Sequence, residues 1–229
     1  MQQLSGTWQP QPGPPVLHHC PVTADVPRAY QAVDSKHPDG SKGLSIPTYT
    51  VLQQHAAFWD SDNDGRIYPY DTFVGCREIG MSLLLSLAFV ALLHFTLLAP
   101  YMTQDSWLLH PFLAIHLKNL HRLHHASDTG TYDEEGRMYP RKFEEIWEVL
   151  GAEQLSSWAD VRRLLAANRC IADPLGWFAS AVSWGLLYGL ARDERGVLGR
   201  EAVRRCFDGT LFYALAEARR ARALASKYE

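Results

Sequence analysis

Residues 60–71 read DSDNDGRIYPYD, and this stretch decides the fold of the chain. In a twelve-residue loop that starts at residue 60, carboxylates stand at positions 1, 3, 5 and 12, and Gly65 stands at position 6, where the chain must turn sharply. Ca²⁺ takes six to eight hard oxygen ligands, and the EF-hand, a helix–loop–helix motif, presents them in this order. The sequence therefore predicts a calcium site whose ligands are Asp60, Asp62, Asp64, the backbone carbonyl of Arg66, and Asp71.

Position 12 of the loop departs from the usual pattern. Asp71 stands where most EF-hands have glutamate, and its side chain is one methylene shorter. This weakens bidentate capture of Ca²⁺ and makes the smaller Mg²⁺ a competitor for the site. The alternative interpretation is a solvated acidic turn that holds no ion.

Helical patterns surround the loop. Between Val51 and Trp59, apolar residues recur at steps of three and four and share one helix face, and a second helix is predicted from about Thr72. The uncharged run 174–191 is expected to form a helix that is buried on all sides. Strand patterns are nearly absent, so the predicted fold class is all-α, with a single EF-hand, degenerate EF-like partners, a central apolar helix or hairpin and a C-terminal helical region. Further helices are predicted at 141–150, 154–168 and 211–227.

Residues 1–47 differ from the rest of the chain. They contain eight prolines and four glycines, which exclude a regular helix, so we predict a flexible, extended arm. The first cationic residue is Arg28, and no apolar segment follows a basic one near the N-terminus. A secretory signal is therefore not expected, and neither is a secreted protein.

Charge and cysteine content narrow the class of protein. The chain has 22 Lys+Arg against 25 Asp+Glu, a balance that argues against nucleic acid as a partner. Its four cysteines form no CxxC pair, which favours a reduced, intracellular protein over a zinc or redox protein.

Residues 81–99 form a run of 19 residues without charge, MSLLLSLAFVALLHFTLLA, followed by Pro100. As one helix it would be about 28 Å long, close to the ~30 Å hydrocarbon core of a bilayer, so it predicts membrane association, with a buried central helix as the alternative. Pro111 breaks the next apolar piece, which favours a re-entrant or interfacial hairpin over two spans. The predicted regions are the arm 1–47, the EF-hand region 48–80, the membrane-associating segment 81–117 and the C-terminal helical region 118–229.

The segment GRIYP at 65–69 has two weaker copies downstream. GRMYP stands at 136–140, and DERG stands at 193–196. Lys142 occupies position 12 of the first copy and Arg195 occupies position 5 of the second, so neither copy should hold a divalent ion. Both are expected to be degenerate partners of the acidic loop.

Ten histidines are present, and five of them crowd the region before Ser127. His121, His124 and His125 match the HxxHH box of membrane di-iron desaturases and hydroxylases, and on a helix His121 and His125 would share a face. The further boxes of that family are missing from the chain, which argues against a di-iron site. His55 stands alone before the acidic loop, and spacing does not pair it with another histidine.

Three segments in this order resemble the caleosin family. They are LQQHAAFWDSDNDGRIYPYDTFVGCREIG at 52–80, NLHRLHHASDTGTYDEEGR at 119–137 and DPLGWFASAVSWGLLYGLARDERGVLGREAVRRCFDGTLF at 173–212. The resemblance covers about residues 46–215. Caleosins are calcium-binding, haem-dependent peroxygenases of lipid droplets, with one EF-hand followed by a hydrophobic membrane hairpin. The family accepts either acid at loop position 12, but several prolines occupy its membrane turn, where this chain has only Pro100 and Pro111.

The resemblance implies a function and a set of site residues. Haem b and Ca²⁺ would be the cofactors, and His55 and His125, which match the family's two implicated histidines, would be catalytic and bind the haem. Fatty-acid hydroperoxides would donate oxygen to unsaturated lipids, giving epoxides or hydroxides without NADPH or O₂. The expected location is the cytosolic side of lipid droplets or of the endoplasmic reticulum membrane, and a homo-oligomer is also considered. The alternative is a non-enzymatic, calcium-responsive coat or tether of lipid droplets in which the histidines are structural.

Overall fold

The computed structural model describes residues 26–41, 48–96 and 98–226. This part is mostly helical, which confirms the all-α prediction. Its helices are α1 (Val51–Ala57), α2 (Pro69–Glu78), α3 (Leu83–Val90), α4 (Leu98–Thr103), α5 (Pro140–Leu150), α6 (Trp158–Ala167), α7 (Pro174–Ala191), α8 (Arg200–Phe207) and α9 (Thr210–Ala225), with a π-helical turn (Ala91–Phe95) and a 3₁₀ helix (Leu117–Leu123). Its short strands are β1 (Arg66–Ile67), β2 (Ile115–His116), β3 (Gln154–Leu155) and β4 (Leu198–Gly199).

The acidic loop joins two short helices whose starts are set locally. Thr50 accepts a hydrogen bond from the Gln53 N–H, and the Gln53 side chain accepts one from the Thr50 N–H, so α1 begins at Val51. α2 begins at Pro69, earlier than the predicted Thr72, because proline has no N–H and its fixed φ suits the first helical position.

The strand within the acidic loop has a partner that the sequence pattern did not indicate. β1 pairs antiparallel with β2, which places Ile67 opposite Ile115 at the entrance of the 3₁₀ helix. The copy at 136–140, expected to be this partner, instead forms a turn in which Met138 bridges to Arg28. The acidic loop is therefore paired with the segment just before the 3₁₀ helix and not with either of its weaker copies.

The C-terminal half contains a second pair of helix–strand–helix units. β3 lies between α5 and α6, β4 lies between α7 and α8, and the two strands pair with Leu155 opposite Leu198. The copy at 193–196 lies in the loop before β4, so its loop is paired with β3, and the expectation that it partners the acidic loop is wrong. The predicted helix 154–168 is wrong at its start, because Leu155 is fully buried in the strand pair and α6 begins only at Trp158.

The largest hydrophobic cluster joins α5, α6, α7 and α8 and extends to Val51 of α1. A second cluster packs α1 against β2 and the 3₁₀ helix. A third packs Phe58, just after α1, against Cys76 of α2 and Ala216 of α9. Helix α1, which carries His55, is therefore in contact with both halves of the molecule.

Residues 26–41 pack against the helices, which corrects the prediction of a flexible arm for this part. The buried carboxylate of Asp34 accepts a hydrogen bond from Arg200 Nε at 2.9 Å, and Arg204 donates to the carbonyl of Ala32 at 2.6 Å. Removing either partner of the buried ion pair would leave an uncompensated charge. Proline and glycine exclude a helix here, but they do not exclude an extended segment that packs. The remainder of the predicted arm, 1–25 and 42–47, lies outside the described residues.

The lack of charge in residues 81–99 predicted a single helix. The structure instead divides this run. α3 is continued by the π-helical turn, a turn follows at Thr96, and α4 begins at Leu98. Pro100 does not end a helix, because it lies in the first turn of α4, where its missing N–H leaves no bond unmade. Among the described residues, no helix has both the length and the apolarity needed to span a bilayer.

Helix α7 has the predicted limits, but the prediction that it is buried on all sides is wrong. Its buried residues recur every four positions and form one stripe, whereas Leu175 is 69% exposed. The stripe consists of Gly176, Ser180, Trp184 and Tyr188.

Candidate functional site

Three carboxylates converge in the acidic loop. One oxygen from each of Asp60, Asp62 and Asp64 lies within 4.8 Å of the other two, and Asp60 is buried whereas the others are exposed. Gly65 has a φ of +81°, in the left-handed region that glycine adopts readily, and it supplies the sharp turn. The arrangement offers converging oxygen ligands to a hard divalent cation such as Ca²⁺.

Asp60 is fixed by the loop backbone. Its two oxygens accept the N–H groups of Asp64 at 3.1 Å and Gly65 at 2.9 Å. Burial nevertheless raises the pKa of Asp60, and the nearby Asp64 carboxylate adds to this effect. A bound cation would act in the opposite direction, because positive charge stabilises the ionised carboxylate.

Asp71, the fourth predicted carboxylate, does not belong to this cluster in the described structure. Asp71 Oδ2 accepts the Tyr68 N–H at 2.9 Å and caps the start of α2. The Arg66 N–H donates to Asp64 Oδ1 at 2.8 Å. Three of the five predicted ligands are thus brought together, and the roles of Asp71 and of the Arg66 carbonyl stay predictions.

His55 is held as a neutral imidazole. Its Nδ1 lies 2.6 Å from the carbonyl oxygen of Cys206, which can only accept, so Nδ1 carries the proton and the lone pair is on Nε2. Burial lowers the pKa of His55, outweighing the opposite effects of the Cys206 carbonyl and of the Asp208 charge. Edge-to-face contacts with Tyr132 and Phe212 surround the ring. Within the described structure Nε2 has no hydrogen-bond partner, which is the state a metal ligand requires.

The corner between α8 and α9 closes directly on His55. Gly209 there has a φ of +78°, and a Cβ added to it would lie 2.6 Å from the Gln54 oxygen and 2.9 Å from the His55 Cα. No side chain fits this contact. The close approach brings the Cys206 carbonyl within reach of the ring.

His125 lies in a different environment, at the start of α7. Its Nδ1 is 3.3 Å from Asp173 Oδ2, and the same oxygen accepts the Ser127 N–H at 2.9 Å. Asp173 also caps α7 by accepting the Gly176 N–H at 2.9 Å. Burial raises the pKa of Asp173, but these hydrogen bonds and the His125 ring together bring it below its ordinary value, so the carboxylate stays ionised beside the histidine. A Cβ on Gly176 would lie 2.5 Å from His125 Nδ1, so only glycine fits there.

The structure does not support the histidine box on a helix. The 3₁₀ helix ends at Leu123, His124 is extended with a ψ of 137°, and His125 lies in the turn that follows. The expected shared helix face of His121 and His125 is therefore wrong. The Nδ1 atom of His124 instead lies 2.6 Å from Oδ2 of Asp128.

His55 and His125 have different neighbours in the described structure, and their rings do not contact each other directly. Sequence reasoning missed Asp173 and the Cys206 carbonyl, which orient them. Asp173 stands before Pro174, a pattern that indicates a helix start, so its capping role could have been found. A backbone carbonyl can come from any residue type, so no signal pointed to Cys206.

The chain is similar to known proteins over most of its length. The model of one family, caleosin related protein, matches residues 47–216. The chain is 42% identical over 199 residues to a peroxygenase of Lilium longiflorum, an alignment that covers 86% of this chain and 82% of the lily protein. It is 35% identical over 170 residues to a probable peroxygenase 4 of Arabidopsis thaliana, covering 73% of this chain and 86% of that protein. A probable inactive peroxygenase-like protein of Arabidopsis thaliana is 34% identical over 93 residues, 40% of this chain and 45% of the relative. No solved structure gives a significant match.

Proposed function

Because the chain belongs to the caleosin family, we propose that it is a calcium-binding haem peroxygenase that transfers oxygen from fatty-acid hydroperoxides to unsaturated lipids. The two relatives with the longer alignments bear the name peroxygenase, which supports an oxidoreductase activity. Haem, Ca²⁺, the lipid substrates and the location at lipid droplets or the endoplasmic reticulum membrane are the finer parts of the proposal.

The observation that carries the proposal is the state of His55. A neutral imidazole that donates Nδ1–H to a backbone carbonyl and keeps Nε2 free fits the usual environment of an iron ligand. When bound, the haem would supply the redox chemistry that cleaves the peroxide bond. His55 would hold the iron, the Cys206 carbonyl would keep the ring in the required tautomer, and Tyr132 and Phe212 would exclude water from it.

His125 is the second residue proposed to face the haem. The ionised carboxylate of Asp173 beside Nδ1 would fix the orientation of the ring. Asp173 is itself held by Ser127 and by the first turn of α7, so the histidine rests on a rigid helix start. Such a support suits a group that must keep its position while the substrate reacts.

Calcium is proposed to act through helix α1. His55 precedes Asp60 by five residues, and Phe58 and Trp59 between them pack against Phe212 of α9. An ion at Asp60, Asp62 and Asp64 would neutralise converging carboxylates at the end of this helix. Ordering the loop would then stabilise the position of His55.

The experiment that tests the activity uses linoleic-acid hydroperoxide labelled with ¹⁸O in the peroxide group, with oleate as the acceptor and no NADPH. We expect the labelled oxygen in the epoxide and the donor reduced to its alcohol. Unlabelled epoxide, or donor decomposition without epoxide, would contradict oxygen transfer from the hydroperoxide. A protein treated with a chelator and then with Ca²⁺ tests the calcium part in the same assay.

A second candidate, the lipid-droplet coat or tether without enzymatic activity, is favoured by one specific observation. Large apolar side chains are exposed along α3, α4 and the segment after them, in a stretch with a single charged residue, Asp105. In this case the His55→Ala and His125→Ala variants would bind droplets and retain every function of the parent chain. The exposed side chains are Leu83, Leu84, Leu85, Leu87, Phe95, Leu98, Tyr101, Met102, Trp107, Leu108 and Phe112.

A further inference from the structure

A cavity of about 310 Å³ lies between α6 and α7, beside the residues that support His125. Two serines, Arg169, Trp177 and aliphatic side chains line it, so it combines an apolar wall with a cationic side. Its volume is at the lower end of the roughly 300–1,000 Å³ of small-molecule sites. It suits the head group and first carbons of an extended ligand, with the rest of that ligand outside.

Arg169 is prepared to bind an anion. Its guanidinium lies over the Trp177 ring, with Cζ 5.0 Å from the ring centroid, and in the described part of the chain no carboxylate is paired with it. The Trp177 ring is itself fixed, because its N–H donates to the Cys170 carbonyl. A stacked guanidinium keeps its five N–H donors available in a plane that matches a carboxylate.

Hydrogen bonds through Ser127 connect the cavity to His125. Ser127 accepts the Cys170 N–H at 3.2 Å through its hydroxyl, and its carbonyl accepts the Ser180 hydroxyl at 3.0 Å. The Ser127 N–H donates to Asp173, the partner of His125. Asp173, the carboxylate beside His125, accepts N–H groups on both oxygens, and it forms no ion pair with Arg169 in the described structure.

We propose that this cavity binds the carboxylate of a free fatty acid, with Arg169 as its counter-ion and Leu165 and Ala166 against the first carbons of the chain. The inference rests on the proposed function, because a fatty-acid hydroperoxide anchored here by its carboxylate would extend from a site adjoining His125. Arg169 is a specificity-determining residue under this proposal. The protein would favour free acids over esters and over small hydroperoxides without a carboxylate.

The test compares binding and turnover in the full chain. Oleate and methyl oleate are titrated, below micelle formation, into haem-free protein, and turnover of linoleic-acid hydroperoxide, its methyl ester and cumene hydroperoxide is measured in haem-loaded protein. Arg169→Gln should weaken oleate binding and raise KM for the free-acid hydroperoxide by about five- to tenfold, with kcat unchanged. The turnover of the methyl ester and of cumene hydroperoxide, which carry no carboxylate, should also be unchanged. Arg169→Lys should recover part of the loss, because it restores the charge without the planar fork.

Arg162→Gln is the matched control, because Arg162 is an exposed arginine of α6, the helix that ends just before Arg169, and it does not line the cavity. Equal affinity of Arg169→Gln and parent chain for oleate, or an equal loss in Arg162→Gln, would overturn the inference. The two proposals fail in different ways. Loss of oleate binding in Arg169→Gln without turnover of any hydroperoxide by the parent chain would support the carboxylate site and reject the peroxygenase. Turnover of cumene hydroperoxide together with oleate binding that does not depend on Arg169 would support the peroxygenase and reject the carboxylate site.

Discussion

At the residue scale, the chemistry proposed for His55 depends on a backbone contact. The Cys206 carbonyl selects the tautomer with a free Nε2, and it reaches the ring because Gly209 lets the α8–α9 corner approach α1 without a side chain between them. The histidine proposed as the haem ligand is thus positioned by a glycine that is distant in the sequence. The same principle applies at His125, where Gly176 leaves room for the ring.

Gly209→Ala should separate this contact from ordinary backbone strain. The added Cβ would lie 2.6 Å from the Gln54 oxygen, in a left-handed conformation, so we expect a loss of about 2–4 kcal/mol in the free energy of unfolding and weaker hemin binding. Gly151→Ala is the control, because Gly151 has a φ of +65° with nothing within 4 Å of the added Cβ. Its cost should be about 1 kcal/mol, with unchanged hemin affinity. If Gly209→Ala and Gly151→Ala lowered the free energy of unfolding in urea and the affinity for hemin to the same extent, the account would be contradicted.

His94 predicts a pH dependence of stability. It is fully buried, with Nε2 2.8 Å from Thr72 Oγ1 and Nδ1 2.9 Å from the Leu113 carbonyl. Burial lowers the pKa of His94 in the folded state, so the unfolded chain takes up a proton first as the pH falls. The free energy of unfolding should therefore be greatest above about pH 6.5 and should be lower at pH 5 than at pH 7. In urea unfolding at both pH values, His94→Gln should decline less than the parent chain, and an identical decline would refute this assignment.

At the element scale, the acidic loop is the part of the fold that the sequence specifies most directly. Replacing Asp60 with Asn keeps the side-chain volume but removes one of three converging charges, so we expect the Kd for Ca²⁺ to rise by about tenfold or more. The parent chain should gain about 2.7 kcal/mol of stability at a Ca²⁺ concentration of 100 times Kd, and the variant should gain much less at the same concentration. Calorimetric titration and thermal unfolding measure both effects.

The control for this prediction is Asp39→Asn, which changes an exposed carboxylate outside the loop. It should leave Ca²⁺ affinity unchanged. If Asp60→Asn lost calcium but bound hemin as tightly as the parent chain, the proposed coupling between the loop and His55 would be wrong. Mg²⁺ added in place of Ca²⁺ tests whether the shorter acid at Asp71 admits the smaller ion.

The elements that could be predicted are those whose limits are set locally. α5, α7 and α9 begin and end within two residues of the sequence expectation, because apolar spacing and a proline or glycine mark their ends. The two-residue strands could not be predicted, since β3 exists only through its pairing with β4. In the candidate site, Asp60, Asp62 and Asp64 follow from loop spacing, whereas the neighbours of His55 come from the C-terminal helices and depend on tertiary packing.

At the scale of the whole molecule, the exposed apolar side chains of α3 and α4 form the surface proposed to meet a membrane. Leu84 is 79% exposed and Leu87 51% exposed, so the double change to Asp should leave the fold intact. The double change should reduce binding to phosphatidylcholine vesicles by at least about tenfold, because two leucines that become buried in the bilayer contribute several kcal/mol to partitioning. Vesicle flotation measures the bound fraction.

Ile171→Asp is the matched control for the membrane surface. Ile171 is 84% exposed, but it lies between α6 and α7, outside the apolar segment. Its replacement should leave vesicle binding unchanged. An equal loss in both variants would show that general surface hydrophobicity, and not this segment, determines binding.

The most direct test of the central claim, that His55 holds the haem, is a hemin titration followed by absorption spectroscopy. The control is His124→Ala, which alters the histidine next to His125 in the sequence, a residue paired with Asp128. The parent chain and this control should develop the same Soret band at the same hemin concentration. His55→Ala should lose that band or require at least about tenfold more hemin, because it removes the Nε2 atom that is proposed to bind the iron. A His55→Ala spectrum and affinity equal to those of the parent chain would contradict the account.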